Sequence, residues 1–148
     1  MQRRAKTMQF QPKYPYSYLK INLDNKFPFH ISEPYVQMDK TITHLHFHNY
    51  PELGICLEGS GVFVVEGKIL PFQGGDIIYI ARNERHLAQS LQGTVSRWHW
   101  IYFDLEKLLY PALMDSGIAD LSHLSGRQFK NLISSGEYPE LCSSVRKI

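Results

Sequence analysis

Between residues 35 and 104 the chain is a succession of short runs in which apolar residues alternate with polar ones, each run closed by turn residues. Residues 41–48 set Leu45 and Phe47 against His44, His46 and His48, because successive side chains of a strand point to opposite faces. Asn49-Tyr50-Pro51 turns the chain, residues 53–57 make a second strand, and Glu58-Gly59-Ser60-Gly61 turns it again. Residues 62–65 and 69–72 flank a tight hairpin at Glu66-Gly67-Lys68. Gln73-Gly74-Gly75 is a further corner, followed by strands over residues 76–80, 86–91 and 95–103. Many short strands at even spacing, with glycines at the corners, predict an all-β barrel or jelly roll over residues 35–104.

The flanks read differently. Residues 1–34 are rich in aromatics and prolines (Phe10, Pro12, Tyr14, Pro15, Tyr16, Tyr18) and predict an extended arm, with an edge strand over the alternating residues 18–23. Residues 105–148 change period. Asp104 is placed to cap a helix over Leu105, Leu108 and Leu109, which Pro111 limits or kinks. Phe129, Leu132 and Ile133 have i, i+3, i+4 spacing and predict a second short helix, and residues 140–148 a last one. Arg3, Arg4 and Lys6 are followed by no apolar run, which predicts neither a secretory signal nor a membrane span. A net charge of +2 does not supply a basic face for nucleic acid on this chain. Cys56 and Cys142 stand far apart without CxxC spacing, so a reducing, cytoplasmic setting is expected.

The chemistry concentrates in His46-x-His48-x3-Glu52 and the later His86. Histidines at i and i+2 of a strand share a face, and the turn at residues 49–51 returns Glu52 beside them. Three imidazoles and a carboxylate suit Zn, Ni, Mn, Fe or Co, with one or two coordination positions left for water or a ligand. The same four residues would equally serve as the polar lining of a ligand pocket, so a metal is permitted and not required. Trp98, Trp100 and Tyr102 share one face of the last strand and are read as pocket walls that a sugar or aromatic ligand could stack on, with core packing as the alternative. Arg82 and Arg97 are read as surface charges, His44 as a strand-end residue, and Glu84-Arg85 as a solvated loop.

These residues carry a resemblance. His46-x-His48-x3-Glu52-x6-Gly59 and Gly75-x10-His86 resemble the two motifs of the cupin family, although Lys40, Ala81, Asn83 and Ser90 replace a glycine, a proline, a glycine and an asparagine of those motifs. That implies a double-stranded β-helix, the cupin jelly-roll barrel, with a short helical extension at its C-terminal side. The Gly-Ser-Gly turn, Gly74-Gly75-Asp76, His86 and the aromatic strand 97–103 narrow it further. They resemble the effector-sensing domain of AraC-type transcriptional regulators. That resemblance implies a non-enzymatic homodimer in which a small effector, such as a sugar, binds in the barrel. DNA would be contacted only through a helix-turn-helix region beyond residue 148, the sequence being expected to stop short of it. A metal-dependent cupin enzyme, a dioxygenase, isomerase or epimerase, is the alternative.

Overall fold

The computed structural model describes residues 14–116 and 121–148, so the basic N-terminus, Phe10, Pro12 and Gly117 lie outside the described residues. Ten strands come first: β1 (Tyr16–Tyr18), β2 (Phe29–Ile31), β3 (Tyr35–Gln37), β4 (Leu45–Phe47), β5 (Glu52–Glu58), β6 (Ser60–Val65), β7 (Lys68–Gln73), β8 (Ile77–Ile80), β9 (His86–Ser90) and β10 (Ser96–Phe103). Helix α1 (Leu105–Ser116), a 3-10 turn (Ser122–Leu124), strand β11 (Leu132–Ile133) and helix α2 (Pro139–Val145) follow.

The period-two alternation turns these strands into two sheets. One runs β1-β4-β9-β6-β7; the other runs β11-β8-β5-β10-β2, with β3 also paired to β10. All the pairings are antiparallel except β1 with β4. Cys56, Ile78, Ile80 and Trp98 of one sheet and Phe63, Val65, Phe72 and Ala88 of the other form a single buried cluster between them. This is the cupin double-stranded β-helix expected from the sequence.

Two glycines are required by close approach. A Cβ on Gly61 would stand 2.1 Å from the Gln89 carbonyl oxygen on β9. A Cβ on Gly54 would stand 2.4 Å from the Trp100 ring, so this glycine makes the space that Trp100 fills. At the β6–β7 hairpin Glu66 and Gly67 both take positive φ, 46° and 81°, as a two-residue turn matched to the strand twist needs.

Three local expectations are corrected. The region of Phe129, Leu132 and Ile133 is not a helix. Leu132 and Ile133 pair with Ile78 and Ile77 on the edge of β8, where the backbone finds ladder partners that a single helical turn would not supply. The arm strand is Tyr16–Tyr18 rather than residues 18–23. Beyond it, the Leu19 N–H still donates to the Phe47 carbonyl of β4, but the Leu19 carbonyl and both backbone groups of Ile21 bond to the side chains of His48 and Asn49. Helix α1 begins where Asp104 caps it, the Lys107 N–H donating to Asp104 Oδ1 at 3.1 Å, and of the two outcomes expected at Pro111 the first is overturned, since the helix does not stop there but runs on to Ser116.

Candidate metal centre

The four donors come from both sheets and meet at one end of the barrel. His46 lies on β4, His48 just beyond it, Glu52 opens β5 and His86 opens β9. His46 and His86 are direct partners across the β4–β9 pair. The ring centroids of the three histidines lie 4.4–5.3 Å apart. One ligand atom from each of the four residues falls within 4.8 Å of all the others. His48, Glu52 and His86 are buried, and His46 is half-buried on the open side of the cluster.

Hydrogen bonds fix how two of the rings are turned. His48 Nδ1 donates to the Leu19 carbonyl at 2.9 Å, and His86 Nδ1 donates to the Glu84 carbonyl at 2.8 Å; a carbonyl can only accept, so Nδ1 carries a proton in each ring. Both Nε2 atoms therefore face the centre. His48 Nε2 is buried there without a hydrogen-bond partner, 3.7 Å from Glu52 Oε1. An unpartnered polar nitrogen aimed at a buried carboxylate is costly alone and is satisfied, together with that carboxylate, by a cation. The residues thus fit a divalent metal, with backbone carbonyls as the outer partners that orient the ligating rings.

Without a metal, the charges arrange themselves around Glu52. Burial, then the neighbouring His86 and His48, pushes His46 down to about 3, so this ring is neutral at pH 7. Burial opposes the charged forms of Glu52 and His86. Their mutual attraction outweighs it, holding Glu52 below and His86 above the usual values. Glu52 Oε1 and His86 Nε2 are in direct contact, as an imidazolium and a carboxylate would be. A metal must displace that proton. Loading with Zn(II) is therefore expected to release about one proton from His86 at pH 6. Affinity should rise with pH through the raised His86 value and level off above it. Calorimetric titration in buffers of different ionisation heat measures the release; no release at pH 6 would remove His86 as the protonated group.

The aromatic strand divides by depth. Tyr102 reaches the centre, its ring edge-on to His48 at 5.5 Å, and burial followed by the Glu52 charge pushes its phenol upward, leaving a neutral hydroxyl. Trp100 is half-buried and stacks on Trp98 with an interplanar angle of 13°. Trp98 itself is 0% exposed between Phe63, Phe72 and Trp100, with its N–H donated to Ser96 Oγ. Trp98 is core and no pocket wall, a correction to the reading by strand parity. His44 is exposed, and Arg97 pairs on the surface with Glu58. Arg82 is also exposed, beside a cavity of about 410 Å³ between the barrel rim and α1. Glu84 is buried, contrary to its reading as a solvated loop residue. No helix among the described residues is long and apolar enough to cross a membrane.

Two facing sheets closed around three histidines and a carboxylate define a cupin-type barrel with a candidate metal centre. More narrowly, residues 33–148 match the AraC-like ligand binding domain, and the chain belongs to that family. Over shorter stretches it is similar to L-ectoine synthases. That of Vibrio cholerae is 36% identical over 61 residues, 40% of this chain and 42% of the relative. That of Halomonas elongata is 33% identical over 64 residues, 42% and 44%. The chain thus matches less than half the length of these curated relatives. Among solved structures, it is similar to a cupin 2 conserved barrel domain protein of Salinispora arenicola, with 23% identity, TM-score 0.47, and 59% of this chain and 72% of that one covered. A cupin protein of Bacteroides fragilis covers 64% of this chain and 87% of its own at 15% identity and TM-score 0.47.

Proposed function

We propose that the chain is the effector-sensing and dimerisation domain of a bacterial AraC-type transcriptional regulator. The observation that carries this reading is the family match, which spans the barrel and the C-terminal extension together. The effector is a small hydroxylated molecule such as a sugar. It would sit at the barrel rim rather than deep between the sheets, because Trp98, Phe63 and Phe72 fill the interior below. His46, His48, Glu52 and His86 would hold it directly or through Zn, Ni, Mn or Fe, while Tyr102 and the face of Trp100 would orient it. Binding would shift a pre-existing equilibrium and so re-aim a helix-turn-helix region that follows in the full regulator. The reading includes a homodimer in the cytoplasm, with DNA contacted through that region alone.

The test is calorimetry against a sugar and metabolite panel, with and without added divalent metal, combined with promoter binding by the full gene product. Effector binding that changes promoter affinity is expected. No ligand from the panel and no regulated promoter would overturn the proposal. A second reading, a metal-dependent cupin enzyme such as a dioxygenase, isomerase or epimerase, is favoured by the stretch shared with the two L-ectoine synthases. Metal-dependent turnover of a panel compound would move the assignment there.

A further inference from the structure

Glu84 lies in the loop between β8 and β9, where a charged side chain would ordinarily point into water. It is only 6% exposed. Its carboxylate is held by three N–H donors: Ala81 N at 2.9 Å and Asn131 Nδ2 at 2.9 Å on Oε2, and Gly126 N at 3.1 Å on Oε1. Two of the three come from the C-terminal extension. The same stretch is gripped from its other side by Lys68, whose ammonium donates to the carbonyls of Gly126 at 2.8 Å and Phe129 at 3.1 Å and to Asn131 Oδ1. Asn131 is 0% exposed and exchanges two further bonds with Tyr79, Nδ2 to the Tyr79 carbonyl and its own carbonyl to the Tyr79 N–H, each 2.9 Å.

The backbone of Glu84 faces the other way, its carbonyl accepting the Nδ1–H of His86. One residue therefore joins the extension, through its side chain, to the orientation of His86, through its main chain. If residues 126–131 leave the barrel, the Glu84 carboxylate loses two of its three donors. A buried charge so exposed must turn to water. That turn moves the peptide carrying its carbonyl.

We infer that Glu84 is a positioning residue that couples the metal centre to docking of residues 126–131, so that each stabilises the other. This rests on the reading of the four donors as a metal centre, and it adds the route by which occupancy reaches the extension. Coupling of this kind is reciprocal. Metal must slow exchange in the segment, and undocking the segment must weaken metal.

The experiment uses the whole chain with Zn(II) and Co(II) as probes. Hydrogen exchange of residues 126–131 is measured with and without Zn(II), alongside metal affinity and the visible spectrum of the Co(II) form. Lys68→Gln, Asn131→Ala and Glu84→Gln are compared with Lys130→Ala, which removes an exposed ion pair to Glu137 in the same region. In the wild type, metal is expected to slow exchange in the segment. The three coupling variants should bind metal about tenfold more weakly, the scale of losing an outer partner of a ligating histidine, lose the metal-dependent protection and shift the Co(II) bands. Lys130→Ala should match wild type. If Asn131→Ala fails to fold, the partly exposed Lys68 carries the test. Wild type that binds metal with no change in exchange, or variants that lose thermal stability while keeping affinity and spectrum, overturns the coupling and leaves the metal reading standing. Wild type that takes up no metal overturns both.

Discussion

Replacing His86 with alanine in the metal-free protein is expected to cost about 3–5 kcal/mol of stability, the scale of stranding a buried charge. Glu52 is 2% exposed, and His86 Nε2 is the group in direct contact with its Oε1. Of the two other imidazoles, His48 Nε2 stands farther off, 3.7 Å from Glu52 Oε1, and His46 is neutral at pH 7. Alanine at 86 leaves the carboxylate buried and unmatched. Urea unfolding in chelator at pH 7 measures the loss. Adding Glu52→Gln to His86→Ala should recover part of it, because the second change removes the stranded charge. A loss under about 1 kcal/mol, within the range of an exposed pair, would show that Glu52 is not held by His86. The pH dependence has two limbs. The depressed Glu52 contributes stability above its unfolded value of 4.5, lost as pH falls through the lower folded value. The raised His86 contributes stability below its unfolded value of 6.5, lost as pH rises through the higher folded value. The pair is therefore most stabilising between about 4.5 and 6.5. Above that window the proton leaves His86 more readily, which is where metal should bind best.

The barrel was legible in the sequence because its strands alternate cleanly and its turns carry glycine at the corners; period two sets the face, and the turn sets the return. The donor set was legible for the same reason. His46 and His48 share a face across Phe47, and one tight turn brings Glu52 back. What was hidden depends on partners remote in the chain. Glu84 carries no local sign of burial; Gly126 and Asn131, more than forty residues on, supply the donors that make it affordable. Leu132 and Ile133 have a spacing that a helix and a strand can both use, and only the open edge of β8 decides between them. The arm shows the same limit: no pattern in residues 19–21 announces that the His48 and Asn49 side chains would take the Leu19 carbonyl and both backbone groups of Ile21.

Depth is the other quantity that strand parity does not give, and it separates three residues that share a face. Trp98→Ala is expected to cost about 3–5 kcal/mol, the range for emptying a large aromatic from a closed core. Trp98 has no exposed surface, packs edge-on against Phe63 and Phe72 with centroids 5.2 and 4.8 Å away, and supports Trp100 by stacking. None of its contacts reaches a metal donor, so Zn(II) affinity of the folded variant should stay within about twofold of wild type, as for sites that share no partner. Tyr102→Phe, two steps up the same strand, should do the opposite. It removes one hydroxyl beside Glu52 and leaves the core intact, so stability should change little while binding at the rim responds. Guanidinium unfolding and Zn(II) titration of the two variants measure both quantities. A Trp98→Ala protein that loses less than about 1 kcal/mol while its metal affinity collapses would return Trp98 to the pocket, since a core tryptophan cannot be emptied at so small a cost.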